Sequence, residues 1–518
     1  LFATPSGTAD MVRFLRTAPN AVFVLLAAYF LLNFLVRLAM PDSLERDEAQ
    51  QILLSQWLAA GYDTQPPFYN WVQYAIIKIT GPSVFAISLL KNLVLFLAYL
   101  FYGLAARTAL KSRDLAIIAT LSLLTIPQIA FEAQRDLTHT VAVIFAASLF
   151  FYGLFRTLAA PGAASYLLTG VAIGIGMISK YNFALLPAAA LVAVLLDREW
   201  RARLFDWRLL LTIAASIAIV APHALWLLDH IGVASERTME KLAEEGTGLS
   251  SQILGGFASL ALAIVGFSAL TFVVFAAVFR GQLLKALSQG SRWTRLIERM
   301  MLAFLLALAL LIVFGGAAHI KDRWLTPLLL ILPLYLCLKV EAAGGGDASQ
   351  LKRFLPVPLL IMLAVPAILF GRVAMAGLTG DYQKLNVPYA AFAAHVREMD
   401  NVTPAAILTA EAHLAGNLRL QFADVPVLSD NYPGFAPKVG LSSESPLLVV
   451  WRNESGTETG IPPNLALYAT RAQEVATADP IVRAIELPYI YGRAGDTYGF
   501  GYALIYPAAP PQSDAAKP

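Results

Sequence analysis

About eleven stretches of roughly 20 mainly apolar residues recur along this chain, near positions 20–40, 84–106, 114–131, 138–156, 165–179, 182–197, 208–228, 252–279, 300–317, 323–340 and 354–375. A helix of that length spans the ~30 Å hydrocarbon core of a bilayer. Only helices and closed barrels satisfy every backbone polar group in lipid. The pattern predicts an all-α polytopic membrane domain of about 11 transmembrane helices, within a range of roughly 10–13. Composition agrees. Charged residues make up 14% of the chain and hydrophobic residues 58%, against about 25% charged in soluble domains.

Arg13 and Arg16 precede the first apolar run in the manner of a signal peptide. The run is long for that, and many spans follow, so it is expected to be a retained helix. The net charge of +3, with no Lys/Arg block, argues against a nucleic-acid partner. Cys337 is the single cysteine, which excludes an intrachain disulfide.

Basic loops set the expected orientation. One set holds Arg13 and Arg16; Arg107, Lys111 and Arg113; Arg198, Arg201, Arg203 and Arg208; Lys285, Arg292, Arg295 and Arg299; and Lys352 with Arg353. These loops alternate with mixed or acidic ones, which places the N-terminus in the cytoplasm and the C-terminal stretch outside. Residues 1–376 are thus expected to form the membrane domain, with a long first outer loop at 41–83 carrying interfacial helices. Composition then shifts toward Pro, Asn, Asp and Gly. A small outer α/β domain is expected over 377–507, with a helix near 387–399 and strands near 405–409, 447–451 and 501–506. The Pro- and Ala-rich tail 508–518 reads as disordered.

The chemistry-bearing residues gather in the outer loops. The first contains Glu45-Arg46-Asp47-Glu48 and, later, Gln65-Pro66-Pro67-Phe68-Tyr69. Such a charge run is either a solvated helix cap or a carboxylate held at the interface as a general base, with Arg46 beside it to bind an anion. The second reads Glu132-Ala133-Gln134-Arg135-Asp136, where Arg135 and Asp136 could be a mutual ion pair, and His139 follows. Lys180 comes after Gly174 and Gly176 at an expected outer helix end. It either snorkels or binds a lipid phosphate. Arg237 and Lys241 lie in a further outer loop, and Lys321, Asp322 and Arg323 in the last. No D-x-D pair occurs, so a divalent metal is possible but not implied. Phosphate-cradling Gly-rich and G-x-S-x-G motifs are absent.

Together these motifs carry a resemblance. Arg46-Asp47-Glu48-Ala49, the Pro66-Pro67-Phe68 turn, Asp136, Lys180 after a Gly-rich helix, Lys321-x-Arg323-Trp324-Leu325-x-Pro327 and Leu385-Asn386-Val387-Pro388-Tyr389 resemble the C-type membrane glycosyltransferases. That group includes the aminoarabinose transferases and protein O-mannosyltransferases. The resemblance implies a sugar donor on a polyprenyl monophosphate, transfer with inversion at the periplasmic face of a bacterial inner membrane, and no required cofactor. Asp47 would be the essential carboxylate, with Asp136 assisting and Glu48 beside it. Lys180, Arg237, Lys321 and Arg323 would hold the phosphate.

The chain departs from the aminoarabinose transferases at Gln50 and Gln65, where they carry basic residues. Arg46 and Arg135 could replace that charge, and Gln65 and Tyr69 would line the donor site. An added arginine suits a sugar carboxylate. The preferred subgroup is therefore the rhizobial galacturonosyltransferases, with lipopolysaccharide core or lipid A as acceptor. Transfer of aminoarabinose or another sugar, to lipid A or protein, is the alternative within the class. A lipid-linked sugar flippase is the alternative outside it, and would need polar residues near the bilayer midplane.

Overall fold

A computed structural model describes residues 5–62, 65–230, 232, 249–399, 402–435, 440–453, 460–472 and 477–508. The chain divides into two compact units. One comprises residues 1–33, 59–69 and 91–366, the other 34–58, 70–90 and 367–518.

Among the described residues, seven helices are long and apolar enough to cross a membrane: Ala21–Ala39, Val84–Ala109, His139–Ala159, Leu209–Asp229, Ser250–Phe279, Arg292–Gly315 and Ala348–Ala374. Two bent pairs, Arg113–Thr125 with Gln128–Arg135 and Asp322–Leu329 with Leu332–Ala342, bring the number to nine if each is one span. The shorter apolar helices Ala163–Met177 and Tyr181–Leu195 complete the counterparts of the apolar runs. This is a multi-pass membrane protein.

Proline explains both bends. Pro127 has no N–H and pushes Ile126 into an extended conformation (φ −100°, ψ 107°), between a 3-10 turn at Ser122–Thr125 and a π-helical turn at Gln128–Glu132. The first pair turns by 71° there. Pro333 stands at the start of Leu332–Ala342 and ends the preceding helix. Helix Leu209–Asp229 shows what its environment is. It buries only Thr212 and His223, while Leu210, Ile213, Ile217, Leu225 and Leu228 lie exposed. Polar side chains inward and apolar ones outward is the arrangement that lipid selects. The backbone of Ala163–Met177 lies against this helix closely enough that a Cβ on Gly170 would fall 2.4 Å from the Thr212 carbonyl oxygen.

The second unit contains a five-stranded sheet in the order β2-β1-β3-β5-β4. Its strands are β1 (Ala406–Thr409), β2 (Val427–Ser429), β3 (Leu447–Arg452), β4 (Ile481–Pro488) and β5 (Thr497–Ile505). The first three run parallel, and β5 pairs antiparallel with both β3 and β4. Helix Ala412–Gln421 connects β1 to β2. A core of Leu408, Leu428, Leu447, Val449, Leu465 and Ala503 fills one region of the sheet. Asn386 is fully buried and ties the unit together. Its Nδ2 donates to the carbonyls of Val373 (3.0 Å) and Ile490 (2.8 Å), and its Oδ1 accepts from Gln383 N (2.9 Å). The Leu385–Tyr389 motif is thus a structural joint between the last apolar helix and the β4–β5 turn.

The first loop contributes helices Arg46–Leu54 and Phe68–Thr80. Helix Ala412–Gln421 packs on the first of these through Gly416, where a Cβ would sit 1.9 Å from the Ala49 carbonyl oxygen. Replacing glycine by alanine inside a helix ordinarily stabilises by roughly 0.5–1 kcal/mol. Here the sign reverses: Gly416→Ala is expected to destabilise the unit by about 1–3 kcal/mol through overpacking. A lower thermal unfolding midpoint of the purified variant checks this, and an unchanged or raised midpoint refutes the close contact.

Candidate functional site

The candidate residues fall into two sets, one in each unit. In the second unit, the groups leading into helix Arg46–Leu54 are held by local and long-range hydrogen bonds. Arg37 donates to the Pro41 and Ser43 carbonyls (2.9 Å each) and to Glu48 Oε2 (3.1 Å). Ser43 Oγ donates to the Val387 carbonyl at 2.6 Å. Leu44 N donates to Asn417 Oδ1, and its carbonyl accepts from His413 Nε2, both at 2.8 Å. Glu45 caps the helix, and its N–H donates to Glu48 Oε2 at 3.2 Å in a capping box.

This arrangement sorts the charged run by task. Glu48 is 1% exposed, and its carboxylate is held by Arg37 and the Glu45 N–H. It secures the start of the helix. Asp47 is half-buried in the first helical turn, where the helix dipole favours an anion. Arg46 is exposed beside it. Gln50 donates from Nε2 to the Tyr432 hydroxyl.

His413 is held in one tautomer. Arg452 can only donate, and it donates to His413 Nδ1 at 2.8 Å, so the proton resides on Nε2 and faces the Leu44 carbonyl. Burial, aided by the charges of Arg452, Lys384 and Arg46 and opposed by the bond to Leu44, lowers its pKa from 6.5 to about 4. Arg452 is in turn paired with Glu411 at 2.9 Å.

In the first unit, contacts link five chain segments. Phe68 N, just after the Pro66-Pro67 turn, donates to the Ile178 carbonyl (2.9 Å). Tyr69 is buried with its ring 6.4 Å from that of His139, and Gln65 is half-buried. Lys180 Nζ donates to Thr140 Oγ1 at 2.7 Å. The adjoining Tyr181 hydroxyl meets His223 Nε2 at 3.0 Å, and His223 Nδ1 meets the Ala60 carbonyl at 2.8 Å. Asn182 Nδ2 donates to the Trp324 carbonyl (2.9 Å), and Thr326 Oγ1 to Gln128 Oε1 (3.2 Å). The turn at Lys180 is tight because Gly176 lets Phe183 pack against it; a Cβ there would lie 2.1 Å from the Phe183 ring.

One alternative offered by the sequence is not the one found. Arg135 pairs with Glu132 at 2.7 Å rather than with its neighbour Asp136. Glu132 stands three residues before Arg135, a helical spacing that brings side chains together, whereas adjacent side chains point apart. Asp136 is half-buried at the end of that helix, its N–H bonded to the Glu132 carbonyl. Lys321 and Arg323 are exposed at the start of Asp322–Leu329, with Asp322 accepting from Arg323 N at 2.7 Å. Arg237, Lys241 and residues 509–518 lie outside the described residues. Sequence reading missed Thr140, Tyr181, His223 and Asn182. The available signal was a histidine inside an otherwise apolar span. Among the described residues, no group of three His, Cys, Asp or Glu side chains is arranged to hold a metal ion.

The chemistry on offer is a carboxylate in a helix first turn beside an arginine in one unit, and a hydroxyl-steadied lysine with further carboxylates and cations in the other. Residues 64–226 match the family described as dolichyl-phosphate-mannose-protein mannosyltransferase. Lipopolysaccharide core galacturonosyltransferase RgtB of Rhizobium johnstonii is 54% identical over 485 residues, covering 93% of this chain and 97% of the relative. The galacturonosyltransferase RgtA of the same organism is 46% identical over 488 residues, covering 93% and 97%. The crystal structure of ArnT from Cupriavidus metallidurans bound to undecaprenyl phosphate is similar in fold, with a TM-score of 0.58 at 15% identity, covering 93% of this chain and 98% of that one.

The His413 environment predicts a pH dependence. A histidine pKa lowered on folding means that the unfolded chain binds the extra proton first. The stabilisation is full above about pH 6.5 and is lost as pH falls toward 4, on the order of 3 kcal/mol in all. His413→Gln keeps a donor for Leu44 and an acceptor for Arg452 while removing the titration. Thermal unfolding followed from pH 7.5 to about pH 4.5 should show a flatter profile in this variant; identical slopes would mean His413 is not the group responsible.

Proposed function

This chain belongs to the family of rhizobial lipopolysaccharide galacturonosyltransferases, within the C-type membrane glycosyltransferases, and on that premise we propose that it transfers galacturonic acid from a polyprenyl monophosphate to the lipopolysaccharide core. The observation carrying this is the 54% identity to a lipopolysaccharide core galacturonosyltransferase across nearly the whole of both chains. The presence of undecaprenyl phosphate in a protein of the same fold supports the donor class. The distribution of basic loops supports an N-terminus in the cytoplasm, with transfer at the periplasmic face of the inner membrane.

In this reading an acceptor hydroxyl attacks the anomeric carbon as the bond to the phosphate oxygen breaks, with inversion. Asp47 takes the hydroxyl proton. Asp136 assists, and Glu48 acts by holding the helix start that presents Asp47. The departing phosphate needs fixed cations to meet its developing charge. Lys180, steadied by Thr140, is the leading one, with Arg135 and Arg323 in support and Arg237 and Lys321 assigned by position. Arg46 meets the carboxylate of the sugar, and Gln65 and Tyr69 line the donor site. No step is assigned to a metal ion.

Membranes holding the full chain, supplied with labelled polyprenyl-phosphate galacturonic acid and core lipopolysaccharide lacking that sugar, should move label to the acceptor. Label crossing the bilayer with the sugar–phosphate bond intact would replace the transferase with a flippase. Asp47→Asn should lower turnover by on the order of 10²–10⁴ with the fold retained, because an amide cannot accept the proton. Normal turnover removes Asp47 from the mechanism. Lys180→Ala should raise the KM for donor by about tenfold or more and that for acceptor far less. Equal effects on both would reduce Lys180 to a snorkelling residue.

A further inference from the structure

Away from these residues, the second unit carries an open cavity of about 440 Å³, walled by the ends of helices Arg46–Leu54 and Phe68–Thr80 and by the turn leading into β2. That volume lies within the range of small-ligand sites. Its lining includes Trp57, Lys78, Arg419 and Asp424.

Several features make this more than a surface dent. Gln56, on its wall, is spent on structure: Nε2 donates to the Val427 carbonyl and Oε1 accepts from Val427 N, both at 2.9 Å. Its amide closes the edge of β2 as another strand would, and fixes Trp57 next to it. The Trp57 ring is braced by Phe435 at 5.1 Å. Arg419 is half-buried and anchored by Nη1 to the carbonyls of Val425 (2.9 Å) and Phe422 (3.4 Å). Its buried Nε has no hydrogen-bond partner among the described residues. Burial lowers the Arg419 pKa, and the nearby Asp424 charge opposes this. Lys78 is exposed, with its Nζ 5.2 Å from the Tyr74 ring centre and no acidic partner among the described residues.

An aromatic ring, two cations and one carboxylate form a set suited to a pyranose bearing an anionic group. The ring meets the apolar C–H face, the cations take the anion, and the carboxylate accepts from hydroxyls. Resting on the transferase reading above, we propose that this cavity binds an acidic sugar unit of the acceptor, removed from the bond being made, with Lys78 and Arg419 holding its anionic group and Trp57 its ring.

The test uses the full chain in membranes. Lys78→Glu should raise the KM for core lipopolysaccharide by about tenfold while the KM for donor stays within about twofold. With wild-type enzyme, a carboxyl-reduced acceptor should reproduce the raised KM if the anion is a carboxylate, and a dephosphorylated acceptor should do so if it is a phosphate. Lys78→Arg should restore the wild-type value. An acceptor KM unmoved by Lys78→Glu overturns the proposal. If no transfer to lipopolysaccharide occurs at all, the transferase reading fails, and the cavity is judged by binding alone. Digalacturonic acid should then quench tryptophan fluorescence saturably, in a manner lost in Trp57→Phe and in Lys78→Glu. No such difference from wild type overturns the cavity as a site.

Discussion

Leu44 gives both of its backbone groups to one short helix more than 360 residues later in the chain, and the presentation of Asp47 depends on that pair of bonds. Asn417 and His413 lie four residues apart on one face of Ala412–Gln421, so a single helical turn can grip the N–H and the carbonyl of one residue. The neighbouring Gly416 lets this helix approach until its backbone touches the carbonyl of Ala49. Arg37 ties the preceding turn from the other direction, bridging two carbonyls and Glu48. A loop of four charged residues would be costly to order by itself. Here buried hydrogen bonds do the ordering, with Glu48 held by Arg37 and the Glu45 N–H at the helix start.

The same logic runs through the first unit in a different solvent. Lipid supplies no hydrogen bonds, so polar side chains in apolar helices turn inward and find one another. His223 joins Tyr181 to the Ala60 carbonyl, Asn182 reaches the Trp324 carbonyl, and Lys180 reaches Thr140. Each contact links segments far apart in sequence and lies near a helix end or a proline-induced break. Beyond the bend at Pro127, Glu132 pairs with Arg135 at helical i,i+3 spacing.

This division explains what was legible beforehand. Seven of the eleven apolar runs reappear as single helices long enough to span a bilayer, two as bent helix pairs and two as shorter helices; bilayer thickness made the long ones legible by length and composition together. Strands β1 and β3 were visible as short apolar runs, since both are buried across the sheet centre. Strand β2 has three residues, and β4 is a mostly exposed edge strand without apolar–polar alternation, so neither carried a clear signal. Motif residues could be found by type and order, but their tasks could not. Glu48 and Asp47 look equivalent in the sequence; only the positions of Arg37 and the Glu45 N–H separate them. The grip of Asn417 and His413 on Leu44 depends on contacts across most of the chain, and nothing local announces it.

The neutral residues at positions 50 and 65 fit this electrostatic picture. Aminoarabinose transferases carry basic residues at both. In the second unit here, positive charge already comes from Arg46, Lys384 and Arg452, each of which helps hold His413 below its usual pKa. Another cation at position 50 would add to that field, while the glutamine present there bonds to the Tyr432 hydroxyl instead. His413 must remain neutral to accept from Arg452 and donate to Leu44 at once. The neutral amide at position 50 is therefore consistent with an uncharged histidine that keeps Leu44 and the start of helix Arg46–Leu54 in place.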